Sequence, residues 1–162
     1  MPEADPSRWR RERAIADRRL FVRPASLEAI IDLRDRVLIA GTDRSDPRFP
    51  GDLEPETTHF GAFDGEACVG CATLLRRPRG DEPAWQLRGM AVERRWRGLG
   101  VGAELLDLAE AWAGAHGPRL LWCNARMDAA AFYARHDWAE VSAPFDIPGV
   151  APHVEMLKRL PR

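Results

Sequence analysis

Lysine is almost missing from this chain. Lys158 is the only one among 24 basic residues, so arginine supplies the other 23. A GC-rich coding sequence alone produces such a skew, although arginine also suits planar, bidentate phosphate recognition. Net charge is small as well, with 24 basic against 25 acidic residues. That balance argues against general nucleic-acid binding, which needs a strongly basic face or domain. Cysteine is scarce, and Cys68, Cys71 and Cys123 make no disulfide framework for 162 residues. Cys68 and Cys71 fall in an expected strand, where a separation of three sends side chains to opposite faces. With no second pair to complete a tetrahedral site, and no H-x-x-x-H among the four histidines, no metal is expected. Apolar runs stay well short of the ~20 residues of a membrane helix. A cytoplasmic protein with no membrane partner is the expectation.

The first residues carry Arg8, Arg10, Arg11, Arg13, Arg18 and Arg19, interleaved with Glu3, Asp5, Glu12 and Asp17. Transit peptides are poor in acid. Residues 1–19 are therefore expected to be an N-terminal extension, helical or frayed, ahead of one domain over 20–162.

Within that domain Leu20 to Arg23 is a first strand, and Ser26 caps a helix carrying Ala29, Ile30, Leu33, Val37 and Leu38. A Gly-, Pro- and Asp-rich loop follows from Gly41 to Glu56, long enough to suggest function. Thr58–Phe63 and Ala67–Leu75 form a hairpin about Asp64-Gly65, and Trp85–Val92 a further strand. Val101, Leu105, Leu108, Ala109 and Trp112 share one face of the clearest helix, Gly100 to Ala113. Leu120–Cys123 is a buried strand, Asp128–His136 a short helix, and Trp138–Ser142 and Val154–Leu157 the last strands. The order β-α-loop-β-β-β-α-β-α-β-β gives an α+β fold: one mixed sheet with helices on its faces.

Arg97-Gly98-Leu99-Gly100-Val101-Gly102 opens the clear helix. Glycine allows a sharp bend and close approach of a ligand to the amides. The first helical turn has unpaired N–H groups and the positive end of the macrodipole. Together these suit a diphosphate. Gly98-x-Gly100-x-x-Ala103 also fits a dinucleotide fingerprint. Against NAD stand the five-residue linker Glu93 to Arg97 between strand and glycines, and Leu120–Asn124 where a ribose-binding acid belongs.

Met90-Ala91-Val92, the charged linker and Arg97-x-x-Gly100-x-Gly102 resemble the acetyl-CoA-binding core of the GNAT N-acetyltransferases. The resemblance runs on through Asn124 and Phe132-Tyr133-Ala134-Arg135-His136-Asp137-Trp138, covering about Trp85 to Val141. Leu33-Arg34, Phe49 to Asp52 and Pro148 to Met156 look like a bacterial subgroup with no assigned acceptor. The resemblance implies a GNAT fold whose strand at Val92 splays from the strand at Leu120–Cys123. It further implies that the backbone of Met90 and Val92, with Asn124, holds pantetheine. Arg97, Gly98, Gly100, Val101, Gly102 and Ala103 then hold the pyrophosphate of acetyl-CoA, the cosubstrate. Tyr133, the only tyrosine in the chain, takes the place of a proton donor to the departing thiolate. Packing alone is the plainer account of the same residue. Asp137 replaces the family glycine at a helix end, a left-handed position that Asp tolerates better than most residues.

The acceptor side is less marked. A backbone N–H near Met90 is the natural oxyanion donor. Gln86 and Arg88 share a strand face toward a cleft, and Asp43, Asp46 and Asp52 are candidates to receive a cationic amine. No base stands out, since His59 and His153 fit structural roles equally well. The expected activity is acetyl transfer from acetyl-CoA to a primary amine on a small molecule or peptide, through a ternary complex. A GNAT-fold module that binds acyl-CoA without turnover is the alternative, and a homodimer stays open.

Overall fold

The computed structural model describes residues 5–162. Eight strands form one sheet in the order β1-β2-β3-β4-β5-β6-β8-β7. They are β1 Arg11–Ile15, β2 Arg18–Ala25, β3 Thr58–Asp64, β4 Ala67–Arg76, β5 Trp85–Val92, β6 Leu120–Arg126, β7 Ala139–Glu140 and β8 His153–Arg159. Every pairing is antiparallel except β5 with β6. The α+β reading and its mixed sheet are thus as expected, with one strand more at the start.

That added strand corrects the helical or frayed extension. Ala16 and Asp17, at φ 50° and 60°, make the two-residue turn between β1 and β2, as a type I′ hairpin requires. Arg11 and Arg13 pair with Asp107 and Glu104, and Trp9 packs edge-on against Trp112 at 5.0 Å. The N-terminal arginines therefore fasten an edge strand to the long helix. Residues 1–4 of the expected extension lie outside the described residues.

One face of the sheet carries helix α1, Leu27–Arg34, capped by Ser26, whose hydroxyl accepts from the Ala29 amide at 3.3 Å. Such a cap is worth about 1 kcal/mol. The helix ends in a π turn, Asp35–Ile39, closed by a bond from Ala40 N–H to Asp35 C=O. Leu27, Ile30 and Leu33 pack there on Cys71 and Ala91. The other face carries α2, Val101–His116, and α3, Ala130–Arg135, in the larger core. Close approach of α2 depends on Gly70, where an added Cβ would meet Val101 and Leu105 at 2.8 and 2.9 Å. Lys158 of β8 is bonded to Glu110 of α2 and donates to the His136 carbonyl at 2.9 Å.

The cysteine geometry departs from expectation. In β3–β4 Ala62 opposes Gly70 and Phe63 opposes Cys68, so Val69 is an extra residue. Such a bulge resets the alternation of faces. Val69 packs in the α2-side core, while Cys68 and Cys71 both pack under α1, on the same face. Burial pushes their thiols up to about 11 and about 12, so both stay protonated. Among the described residues no group of three or more His, Cys, Asp or Glu is placed to hold a metal. No helix among them is long and apolar enough to cross a membrane.

Candidate active site

β5 pairs with β4 for most of its length but meets β6 only at Trp85↔Leu121 and Gln86↔Trp122. Past Gln86 the two parallel strands part, while β6 stays fully paired to β8. From Leu87 onward, the edge of β5 facing β6 therefore lacks a strand partner. An extended ligand can pair with such an edge as an added strand. At the same level the β4–β5 register slips, Cys71 opposing Ala91 and Thr73 opposing Arg88. Gly89, at φ +64°, takes the extra place on β5. A bulge leaves backbone groups out of the ladder, and Met90 is the residue that follows.

A cavity of about 550 Å³ occupies this gap, and Met90, Asn124 and Tyr133 all line it. Gln86 and Arg88 line it too, as their shared strand face suggested. Tyr133 is 6% exposed, packed against Phe132 and Trp138. Burial raises its phenol well above the ordinary value, so it is a donor and not a phenolate at neutral pH. It is also a core residue, so the structure grants it both roles. Behind it α3 closes in a Schellman turn: the Trp138 N–H reaches the Tyr133 carbonyl and the Asp137 N–H the Ala134 carbonyl. Asp137, at φ +69°, occupies the left-handed position foreseen for it.

The glycine turn stands at the end of this gap. Gly98 and Gly100, at φ +76° and +95°, need the freedom of glycine, and a Cβ on either would meet nothing within 4 Å. The space beside them is open. Gly100 precedes α2 without any side-chain cap, and the first bond of the helix runs from the Glu104 amide to the Gly100 carbonyl. The amides of Val101, Gly102 and Ala103 are thus without intrahelical acceptors. Val101 is buried, so its amide alone is available to a ligand. A Cβ on Gly102 would meet the Phe132 ring at 3.4 Å and Val92 at 3.8 Å. Phe132 also lines the cavity, which joins turn and gap into one path. Arg97 is exposed and donates from Nε to the Val92 carbonyl at 3.1 Å. That carbonyl keeps a second lone pair. A diphosphate at the turn with an extended arm along β5 fits these residues.

The opposite wall is the loop after α1, and here the structure adds what the sequence did not show. Asp52 is not a surface acid awaiting a cation. Its side chain is 3% exposed and accepts from Arg34 Nη1 at 2.6 Å, the Phe49 amide at 2.7 Å and Arg88 Nη2 at 3.1 Å. Burial alone would raise its carboxyl, but these donors together hold it below the usual carboxylate range. Asp46 pairs with Arg48, and Asp43 lies beside Gly149. The expected receptor of a cationic amine is therefore already committed.

His59 is committed as well. Thr73 Oγ1 accepts from Arg34 at 2.8 Å and sits 2.7 Å from His59 Nδ1, while Nε2 lies 2.9 Å from the Asp52 carbonyl. A carbonyl only accepts, so Nε2 carries the proton and the threonine hydroxyl donates to Nδ1. Burial lowers the imidazole pKa and keeps the ring neutral in this arrangement. A Cβ on Gly89 would touch the Arg34 guanidinium at 3.4 Å, so this network lies directly under the bulge before Met90. His153 differs. It lines the cavity, and its buried Nδ1 has no partner among the described residues.

Fold and cleft together define an acyl-CoA-dependent N-acyltransferase, with a glycine-turn anion site leading into splayed parallel strands. The sequence profile of the Acetyltransferase (GNAT) family matches residues 17–138, and the chain belongs to that family. It is 30% identical over 144 residues to the uncharacterized N-acetyltransferase YitI of Bacillus subtilis (strain 168), covering 87% of this chain and 97% of that protein. An acyl-CoA N-acyltransferase from Pseudomonas aeruginosa has the same fold, at TM-score 0.72 and 20% identity over 86% of this chain and 99% of that one. More distant is an aminoglycoside 6'-N-acetyltransferase complexed with coenzyme A. Its TM-score is 0.55 at 18% identity, covering 68% of this chain and 77% of that one.

Proposed function

We propose that this enzyme transfers an acetyl group from acetyl-CoA to a primary amine by direct attack within a ternary complex. One observation carries the reading: a single path runs from the glycine turn at Gly98–Gly102 to a cavity that Met90 and Tyr133 share. The aminoglycoside acetyltransferase with coenzyme A supports the choice of donor. Acetyl-CoA supplies an activated acyl group. The amides at the start of α2 bind its pyrophosphate, with Arg97 beside them. The free edge of β5 at Met90 and Val92, with Asn124 across the gap, orients the pantetheine arm. An amide at the bulge donates to the acyl oxygen as negative charge grows there. The acceptor nitrogen forms its bond to the acyl carbon as the carbon–sulfur bond breaks. Tyr133 gives its proton to the sulfur, and the amine proton leaves through the part of the cavity that His153 borders.

Release of free thiol from acetyl-CoA, followed across a panel of amines, tests this. Tyr133→Phe should lower turnover roughly a hundredfold, as loss of a general acid does, with acetyl-CoA affinity nearly unchanged. Equal turnover in the variant would reduce Tyr133 to packing. Tight acetyl-CoA binding with no thiol released for any amine would leave a binding module in place of an enzyme.

A further inference from the structure

The cavity wall carries the wrong charge for a simple amine. Arg34 and Arg88, with side chains 0% and 19% exposed, share the one carboxylate of Asp52. Guanidinium groups keep their charge in proteins, so one positive charge stays uncancelled in this half-buried group. Arg88 is the member that lines the cavity, and its Nε is buried with no acceptor among the described residues. Arg44 and Arg48 join it from the loop and Arg126 from β6, while Asp46 is the sole carboxylate in the lining. Arg48 lies 3.4 Å from that carboxylate.

Acetyl-CoA does not account for this surplus. Its phosphates are assigned to the start of α2, and no residue of the 97–103 turn lines the cavity. Arg34, Asp52 and Arg88 belong to the loop and α1 side of the sheet, where the acceptor must enter. An ammonium arriving alone would meet like charge at close range. An amine carrying its own negative group would meet attraction, and guanidinium binds planar carboxylates and phosphates through paired N–H donors.

We infer that the acceptor is an amine bearing an anionic group, a carboxylate or a phosphate, which Arg88 and Arg44 hold while the nitrogen reaches the β5–β6 gap. This rests on the acyl-transfer reading above. It also reverses the expectation of an acidic acceptor site.

Matched acceptors decide it. Rates with acetyl-CoA would be compared for amino acids, their carboxamides, the corresponding decarboxylated amines, and amino alcohols with their O-phosphates. The expected result is a kcat/KM higher by roughly 10- to 100-fold for the anionic members, the worth of one charge-assisted pair. The carboxylate and phosphate arms show which anion is preferred. Arg88→Gln and, separately, Arg44→Gln should pull the anionic-to-neutral ratio toward one. Arg44 sits on the exposed loop, so its variant serves where loss of Arg88 harms folding. Equal rates for charged and neutral members overturn the inference, as does a ratio that survives both substitutions. Acetyl-CoA binding by calorimetry with no member acetylated overturns it too. Failure to bind acetyl-CoA at all overturns the donor assignment beneath it.

Discussion

On the α2 side of the cleft, the polar groups offered to a ligand belong mostly to the backbone: the amides of Val101, Gly102 and Ala103 and the free edge of β5. On the loop side they belong to side chains: Arg34, Asp52 and Arg88, wedged under Phe49, with the Arg34 guanidinium 4.3 Å from that ring. Backbone recognition needs only that the chain follow the right path, so it depends on glycine and open space. Side-chain recognition needs charges brought together and kept dry, and this costs stability whenever one partner is missing. The donor half should therefore tolerate much without unfolding but bind poorly, whereas the acceptor half should fail first as a structure.

The largest effect expected from this contrast is on Asp52. Asp52→Ala leaves two guanidiniums without a counter-charge, one of them fully buried, and should cost about 3–5 kcal/mol in urea unfolding. A loss under about 1 kcal/mol would break the contrast, because it would mean that water replaces the carboxylate freely. Gly100→Val comes next. Its Cβ meets no protein atom, so only the left-handed backbone is penalised, by roughly 1–2 kcal/mol. Acetyl-CoA affinity should nonetheless fall at least about tenfold, in line with loss of a charge-assisted contact. Unchanged affinity by calorimetry would move the pyrophosphate elsewhere.

The smallest effect concerns pH. His59 has its pKa lowered by burial, so the unfolded chain takes up a proton that the folded one resists. The stability linked to it is full above about pH 6.5, the unperturbed value, and is lost as pH falls through the folded value. The carboxyl of Asp52 acts in the same sense further down, below about pH 4. A thermal melt series should show Tm declining from about pH 6.5, and His59→Asn should remove that first limb. A flat Tm to pH 5 would show that the ring is protonated in place.

The same division governed what could be read from residues alone. The glycine turn, its linker, Asn124 and Tyr133 lie in short stretches whose order carries their geometry, and the structure places Met90, Asn124 and Tyr133 around one cavity. The charge network joins positions 34, 52, 59, 73 and 88 from four separate segments. Its one visible trace was an arginine beside Ile30, Leu33 and Val37 in an otherwise apolar helix pattern. Strand β1 was hidden because only alternate positions are half-buried and none fully, while its turn uses Ala16 and Asp17 without glycine. Nothing but Gly70 hinted at the bulge that turns both cysteines under α1.

The rarity of lysine acquires a meaning beside this chemistry. Lys158 has its ammonium tied to Glu110 and to the His136 carbonyl, with its side chain 19% exposed. A catalyst that acylates amines works at risk of modifying its own surface. Here arginine, whose guanidinium stays protonated and so is a poor nucleophile, carries nearly all the positive charge. The enzyme is thereby spared as a substrate for itself.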